Sequence, residues 1–117
     1  MARLSTHVLD TMRGVPAEGV TIDLHRVEEN RRRHIKREQT NPDGRTSEPL
    51  LAGEILEAGV YELTFHAGEY FQRLGVSLAS PPFLDEIVLR FGLADPKGNY
   101  HVPLLLSPYG YSTYRGS

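Results

Sequence analysis

Hydrophobic and polar residues alternate along several short segments of the chain. The alternation is clearest at residues 20–27 and 60–66, it is looser at 4–9, and residues 86–93 and 100–106 are rich in strand-forming side chains. Alternation with a period of two is typical of half-buried β-strands, because successive side chains point to opposite faces. We therefore predict that these segments are β-strands.

Glycine and proline divide these segments from one another. Asn-Pro-Asp-Gly at 41–44 and Asp-Pro-Lys-Gly-Asn at 95–99 are strong turn sequences, and the second predicts a hairpin that joins strand 86–93 to strand 100–106. The charged segment 31–40 is predicted to be a solvent-facing edge strand, and residues 111–115 a terminal strand. Only residues 69–74 favour a helix, in which Tyr70, Phe71 and Leu74 would share one face. Short strands at this spacing indicate an antiparallel sandwich.

Composition and length exclude several classes of protein and of functional site. A chain of 117 residues has the usual size of one domain, so residues 1–117 are predicted to fold as a single unit. The net charge of −2 gives no general attraction to nucleic acid or to an anionic membrane, and no apolar stretch is long enough to span a bilayer. Cysteine is absent, which excludes disulfides and thiol nucleophiles. The first strand pattern begins close to Met1, so no signal peptide is predicted and a cytoplasmic location is expected.

The five histidines are the first candidates for chemistry. His25, His34 and His66 lie among strand or basic residues and are predicted to be solvated strand residues. His7 and His101 lie near opposite ends of the chain, and each alternates with apolar residues that would face the other way. Spacing alone cannot bring these two histidines together, so on the residues alone a structural and a catalytic role both stay open.

The remaining polar motifs allow simpler interpretations. The run Arg-Arg-Arg-His-Ile-Lys-Arg at 31–37 lacks interleaved aromatic residues, which favours a solvated edge over a nucleic-acid patch. No histidine pair has the close spacing of metal ligands, so no metal site is predicted. Arg45 follows the turn at 41–44 and could be an ordinary loop residue. Its planar guanidinium could also hold the paired acceptors of a flat polar ring.

Both ends of the chain carry distinctive motifs. Residues 3–10 read Arg-Leu-Ser-Thr-His-Val-Leu-Asp, residues 101–111 read His-Val-Pro-Leu-Leu-Leu-Ser-Pro-Tyr-Gly-Tyr, and the chain finishes with Tyr-Arg-Gly-Ser. Together they resemble the transthyretin-related 5-hydroxyisourate hydrolases over nearly the whole chain. The resemblance implies an all-β, transthyretin-like antiparallel β-sandwich of about eight strands with one short helix.

The resemblance also implies a set of site residues. The histidines of the first two motifs, His7 and His101, correspond to active-site residues of that family, and Gly-Arg-Thr at 44–46 makes Arg45 the substrate-binding arginine. Tyr114 and Ser117 of the terminal motif are likewise placed at the active site. Substrate binding would involve His7, Arg45 and Tyr114, and neither a metal nor another cofactor is implied.

The activity that the resemblance implies is hydrolysis of 5-hydroxyisourate to 2-oxo-4-hydroxy-4-carboxy-5-ureidoimidazoline, in which a histidine activates water against a cyclic amide. The expected assembly is a homotetramer, a dimer of dimers, with active sites where two dimers meet. The terminal segment 111–117 would line that interface and be held in place by assembly. The alternative is a transthyretin-like carrier that binds a small aromatic ligand between dimers.

Overall fold

Two β-sheets pack face to face in the computed structural model, which describes residues 2–116. Within these residues there are nine strands, one α-helix and a single 3₁₀ turn at Gly53–Ile55. The strands are β1 (Arg3–Asp10), β2 (Val15–Pro16), β3 (Thr21–Glu28), β4 (Arg31–Gln39), β5 (Leu51–Ala52), β6 (Gly59–His66), β7 (Glu86–Leu93), β8 (Asn99–Ser107) and β9 (Gly110–Thr113), and the helix is α1 (Ala67–Arg73). The predicted all-β sandwich with one short helix is confirmed.

The first sheet has the strand order β2-β1-β8-β9, and β5 pairs with the same side of β1 as β2 does. Strands β1 and β8 run parallel, in a register that joins Arg3 to Asn99 and Asp10 to Leu106. All other pairs in the sheet are antiparallel. The parallel pair brings the motif at residues 3–10 alongside residues 99–106, which contain the first part of the second motif.

The second sheet has the order β4-β3-β6-β7, and all of its pairs are antiparallel. The charged strand β4 lies at the edge of the sheet, as predicted. Its pairing with β3 shifts by one residue between Leu24 and His25. This bulge turns residues on either side of it to the same face, although their spacing in sequence would put them on opposite faces.

The predicted hairpin between 86–93 and 100–106 is wrong. Both segments are strands, but β7 pairs with β6 in the second sheet while β8 pairs with β1 and β9 in the first. The turn at 95–99 therefore carries the chain from one sheet to the other. Turn residues favour a reversal of direction, but burial of both strands' apolar faces decides which sheet each strand joins.

Apolar residues from both sheets meet in a single core. The largest fully buried side chains include Leu4, Leu104 and Leu106 of the first sheet and Tyr61 and Phe65 of the second. Alternate residues of β1 are buried along the strand, which leaves the intervening polar residues on its outer face. The core thus fixes which side chains of β1 and β8 can form a site.

Helix α1 begins two residues before the prediction and ends one residue before it. Tyr70 and Phe71 are buried, as expected, but Leu74 lies just beyond the helix and is exposed. The Tyr70 hydroxyl donates to Asp10 Oδ2 at 2.8 Å, which ties the helix to the end of β1. Within residues 2–116, no helix combines the length and the apolar character needed to cross a membrane.

Candidate active site

Strands β1 and β8 place their polar residues on the outer face of the first sheet. Leu4, Thr6 and Val8 point into the core, so Ser5 and His7 point outward. Because β1 and β8 are parallel and in register, Ser5 lies directly opposite His101. His7 lies two residues further along the same face. The pairing thus brings together two histidines that are far apart in the sequence.

A tight loop holds Arg45 against this face. The Asn41 side chain accepts hydrogen bonds from the backbone N–H groups of Asp43 at 2.9 Å and Arg45 at 3.1 Å. The Val8 N–H donates to the Gly44 carbonyl at 2.8 Å, which fastens the loop to β1. Gly44 has a φ of +76°, and a Cβ there would lie 2.3 Å from the Val8 carbonyl oxygen. Only glycine fits at this point, so the loop can hold Arg45 close to the sheet.

His101 and Arg45 line one open cavity of about 310 Å³. The other residues that line it are Arg3, Ser5, Asn99 and Tyr100. Among residues 2–116, no carboxylate lines the cavity, and the side chains of Arg3 and Arg45 form no ion pair with an acidic residue. The two arginines give this part of the cavity positive charge, which suits an anionic ligand or an oxyanion that forms during reaction.

The environment of His101 favours its neutral form. Burial lowers the pKa of the His101 imidazole, since a charged ring loses hydration there. The neighbouring positive charges of Arg45, His7 and Arg3 lower that pKa further, and a backbone contact with Ser5 opposes them by a smaller amount. A neutral imidazole can accept a proton, so His101 is suited to act as a base at neutral pH.

His7 has a fixed protonation pattern. Its Nε2 lies 2.8 Å from the Asp43 carbonyl oxygen. A carbonyl oxygen can only accept a hydrogen bond, so Nε2 must carry the proton and donate it. In the neutral ring this leaves the lone pair on Nδ1. His7 thus fastens the loop that carries Arg45 to β1, while its second nitrogen stays available for another partner.

The end of the described chain returns to His101. Strand β9 pairs with β8, and beyond it the Gly116 N–H donates to the His101 carbonyl at 2.7 Å. A Cβ on Gly116 would lie 2.7 Å from His101 Cδ2, so this glycine allows the chain to pass close to the imidazole. Pairing within one chain thus contributes to the placement of residues 110–113 and of Gly116, and the part played by assembly in holding the terminal segment stays a prediction.

Tyr114 lies apart from the cavity that contains His101 and Arg45. It is exposed and lines a different, mainly apolar cavity of about 360 Å³ between the edges of the two sheets. Arg115, which lies between Tyr114 and Gly116 in the sequence, packs over the Tyr100 ring with Cζ 4.4 Å from the ring centroid. A single chain thus does not bring Tyr114 to His101 and Arg45. Ser117 lies outside the described residues.

Sequence reasoning missed Ser5, Arg3 and Asn99 as members of the site. All three lie on β1 or β8, and Arg3 and Asn99 are paired across the two strands just as Ser5 and His101 are. Ser5 is part of the Leu-Ser-Thr-His motif, two residues before His7, so the alternation could have placed it on the same face. Its contact with His101 could not be predicted from the sequence, because that contact depends on the parallel pairing of β1 with β8.

The histidines of the second sheet are not simply solvated, contrary to the prediction for His34 and His66. Nε2 of His34 lies 2.9 Å from one oxygen of Asp23, and Nε2 of His66 lies 2.8 Å from the other. Arg37 donates to both oxygens, at 2.8 and 3.0 Å. Among residues 2–116, no three His, Asp or Glu side chains are grouped as ligands of a metal ion. This cluster is therefore an Asp23–Arg37 ion pair with two histidines hydrogen-bonded to the same carboxylate.

Comparison with known proteins places these features in a family. The family model described as HIUase/Transthyretin matches residues 4–116. "5-hydroxyisourate hydrolase 2" of Rhizobium meliloti (strain 1021) is 58% identical over 98% of this chain and 96% of its own length. The solved 5-hydroxyisourate hydrolase of Klebsiella pneumoniae is 38% identical, with a TM-score of 0.81, over 98% of this chain and 99% of that one. A solved (S)-allantoin synthase is 47% identical with a TM-score of 0.93, and this chain covers 44% of its length.

Proposed function

Because the chain belongs to the HIUase/transthyretin family, we propose that it is an enzyme that hydrolyses 5-hydroxyisourate. The product is 2-oxo-4-hydroxy-4-carboxy-5-ureidoimidazoline. Relatives that match along nearly their whole length carry the name of this activity. The observation that carries the proposal is the cavity in which the half-buried His101 meets Arg45, lined by no carboxylate of residues 2–116.

In the proposed reaction, His101 takes a proton from water as the water oxygen bonds to the carbonyl carbon of a cyclic amide. The carbonyl oxygen becomes an oxyanion, and the adjacent Arg45 stabilises it by charge and hydrogen bonding. The carbon–nitrogen bond then breaks, the nitrogen takes the proton that His101 had accepted, and the carboxylic acid left by ring opening loses its own proton to solvent. General base assistance of this kind accelerates a reaction by about a hundred- to ten-thousand-fold.

Positioning supplies the rest of the proposed mechanism. The guanidinium of Arg45 presents a planar set of donors that matches paired oxygen and nitrogen acceptors on a flat ring. His7 holds the Asp43 carbonyl and so keeps the Arg45 loop on β1. Its Nδ1 is available to bind the substrate. No step of the proposed reaction uses a metal or another cofactor.

A direct assay tests the proposed activity. Urate oxidase generates 5-hydroxyisourate in the cuvette, and its ultraviolet absorbance decays spontaneously. We expect micromolar protein to speed this decay, with and without a chelator, and His101→Ala to remove most of the effect. His25→Ala, on the opposite sheet, is the matched control. An unchanged decay in the presence of the wild-type protein would contradict the proposed function.

We propose further that four copies assemble as a dimer of dimers. The edges of β7 and β9 are unpaired within residues 2–116, and exposed aromatic residues lie near them: Phe83, Tyr109, Tyr111 and Tyr114. Exposed strand edges with apolar side chains favour contact with another copy of the chain. Active sites are proposed to lie where two dimers meet. Sedimentation velocity at micromolar concentration should give the mass of a tetramer.

The roles of Tyr114 and Ser117 stay predictions within this proposal. Deleting residues 114–117 should abolish turnover while circular dichroism still reports a folded sandwich, because strands β1 to β9 end before the deletion. Sedimentation of the truncated chain separates a loss of assembly from a direct loss of catalysis. Wild-type turnover by the truncated chain would exclude both residues from the site. The single domain over 1–117 and the cytoplasmic location also remain predictions.

A further inference from the structure

The His101 imidazole is held from two sides. On one side, Ser5 Oγ lies 2.9 Å from Nδ1 of the ring, and the two residues are direct partners across the parallel strands. On the other side, Gly116 passes so close that a Cβ there would lie 2.7 Å from Cδ2. The backbone of Ser5 also contacts the ring, and that hydrogen bond acts to raise the pKa of His101. The ring is therefore packed on one edge and tethered at Nδ1.

We propose that Ser5 is a positioning residue for His101, whose hydroxyl keeps the imidazole oriented with Nε2 as the nitrogen that takes the proton. The proposal rests on the proposed hydrolase function, and it adds a residue that has no direct part in the reaction described above. Ser5 acts through His101 and need not touch the reacting atoms.

The chemistry of a hydroxyl suits this role. When His101 acts as a base through Nε2, its Nδ1 carries a hydrogen and donates it to the Ser5 oxygen. After Nε2 takes a proton from water, Nδ1 still carries its hydrogen, so the same bond persists through the transfer. A hydroxyl can also donate to an unprotonated Nδ1, and in that tautomer Nε2 has no lone pair to accept a proton, so the role of Ser5 requires that its oxygen act as the acceptor.

A neutral partner also differs from an acidic one. A carboxylate at the position of Ser5 would orient the ring equally well, but it would favour the imidazolium form and raise the pKa of His101. Ser5 orients the ring without adding negative charge to the cavity. The hydroxyl therefore preserves the neutral base that burial and the nearby arginines favour.

Two variants of nearly equal shape isolate the hydroxyl. Ser5→Thr keeps it, Ser5→Val replaces it by a methyl group, and both residues suit a β-strand. The backbone of residue 5 is unchanged in both. In the assay with 5-hydroxyisourate generated in situ, we expect Ser5→Thr to keep kcat within about threefold of wild type. Ser5→Val should lower kcat about tenfold with KM nearly unchanged, since it removes one hydrogen bond to the base.

A second measurement reports the tautomer itself. Nitrogen-15 NMR of the His101 ring should show hydrogen on Nδ1 in the neutral wild-type protein and in Ser5→Thr, and a mixture of tautomers in Ser5→Val. A merely structural role for Ser5 would not move this signal. If Ser5→Val does not fold, Ser5→Ala provides the same comparison with a smaller change in volume.

The outcomes separate the two proposals. Equal ring signals in Ser5→Val and wild type would overturn the role of Ser5, whatever the rates. If the wild-type protein fails to speed the decay of 5-hydroxyisourate, the hydrolase function fails, yet the NMR comparison still decides whether Ser5 sets the tautomer. A shift of tautomer together with the loss of kcat in Ser5→Val is the expected result.

Discussion

The outer faces of the two sheets carry the same kinds of side chain and arrange them in opposite ways. On the second sheet, the buried carboxylate of Asp23 accepts hydrogen bonds from two histidines and an arginine. These partners hold the pKa of Asp23 far below its usual range, with the Arg37 hydrogen bonds as the largest cause. Every charge in this cluster has an opposite charge or a donor beside it.

A second cluster on the same sheet follows this pattern. Glu62 is buried and accepts hydrogen bonds from Arg32 at 2.6 Å and Arg90 at 2.9 Å. Burial alone would raise the pKa of Glu62, but the bonds from these two arginines reverse that effect and lower it. The basic run at 31–37 thus serves to pair buried acids.

On the first sheet, Arg3, Arg45 and His101 meet around a cavity that no carboxylate of residues 2–116 lines. The arginine charges repel one another, which costs stability, and they add to the effect of burial in lowering the pKa of His101. Groups that oppose folding locally but converge on a cavity are typical of functional sites. The contrast teaches that paired charges on the second sheet stabilise the fold, whereas the arginines of the first sheet, which form no ion pair within residues 2–116, are available to a ligand.

The largest effect should come from the histidines of the first sheet. We expect His7→Ala and His101→Ala each to reduce kcat/KM by about a hundred- to ten-thousand-fold. The double variant should be little worse than the poorer single one, because groups that act as a unit are not additive. Losses that multiply would mean that the two histidines act independently. His25→Ala on the second sheet should leave kcat/KM unchanged.

The next largest effect on activity should come from the geometry of the Arg45 side chain. Arg45→Lys keeps the charge but removes the planar fork, and we expect kcat/KM to fall roughly ten- to hundredfold, as for the loss of a charged hydrogen bond. Arg31→Lys is the control, since Arg31 lies exposed on the edge of the second sheet. Unchanged KM and kcat in Arg45→Lys would make Arg45 an ordinary loop residue.

A substitution in the charged cluster of the second sheet should lower the stability of the protein and leave the reaction rate unchanged. We expect Asp23→Asn to lower the free energy of unfolding by about 1–3 kcal/mol, because it leaves buried donors without a charged acceptor, and to leave kcat/KM unchanged. Chemical denaturation measures the first quantity. Glu29→Gln, at an exposed position, should change neither. A large loss of activity in folded Asp23→Asn would break the division between the two faces.

The contribution of the Asp23 carboxylate should also appear in the pH dependence of stability. The pKa of Asp23 is lowered in the folded state, so its stabilising contribution is complete above its unfolded pKa of about 3.9 and is lost as pH falls toward the folded value. Wild-type stability should therefore fall more steeply than that of Asp23→Asn below about pH 4. Parallel curves for the two proteins would show that Asp23 does not contribute in this way.

The smallest effect is a shift in the pH profile of the reaction. Since burial and nearby cations lower the pKa of His101, the acid limb of kcat/KM should lie below about pH 6.5, the ordinary value for histidine. Arg3→Gln removes one of those cations and should move the limb upward by a few tenths of a pH unit. Arg31→Gln, which changes the net charge equally on the other sheet, should not move it.

Much of the fold could be predicted because burial of one face imposes alternation on a strand. The predicted strand 86–93 has the bounds of β7, and the segments at 4–9, 20–27 and 60–66 fall within one residue of β1, β3 and β6. The charged segment 31–40 lies at a sheet edge, as its composition indicated. Alternation within a segment does not show which strand will lie beside it. For this reason the predicted hairpin of β7 and β8 was wrong.

The candidate site, like the fold, could be predicted only in part from the sequence. His7, His101 and Arg45 were proposed through the resemblance of the end motifs, and the structure brings His101 and Arg45 to one cavity. The residues alone left the histidines open, since nothing local records that β1 pairs with β8. The cluster of Asp23, His34 and Arg37 could not be predicted from the sequence either. The bulge in β4 is what places His34 and Arg37 on the same face of the sheet.

The sequence by itself determined the family, the strands and the outward direction of His7 and His101, because these depend on motifs and on periodicity within single segments. The tertiary structure alone decided that Ser5 faces His101, that Arg45 and His101 share a cavity, and that Gly116 returns to the imidazole. Each of these depends on the pairing of segments far apart in the chain. Such pairing follows from burying both sheets against each other, a property of the whole molecule that no single segment carries.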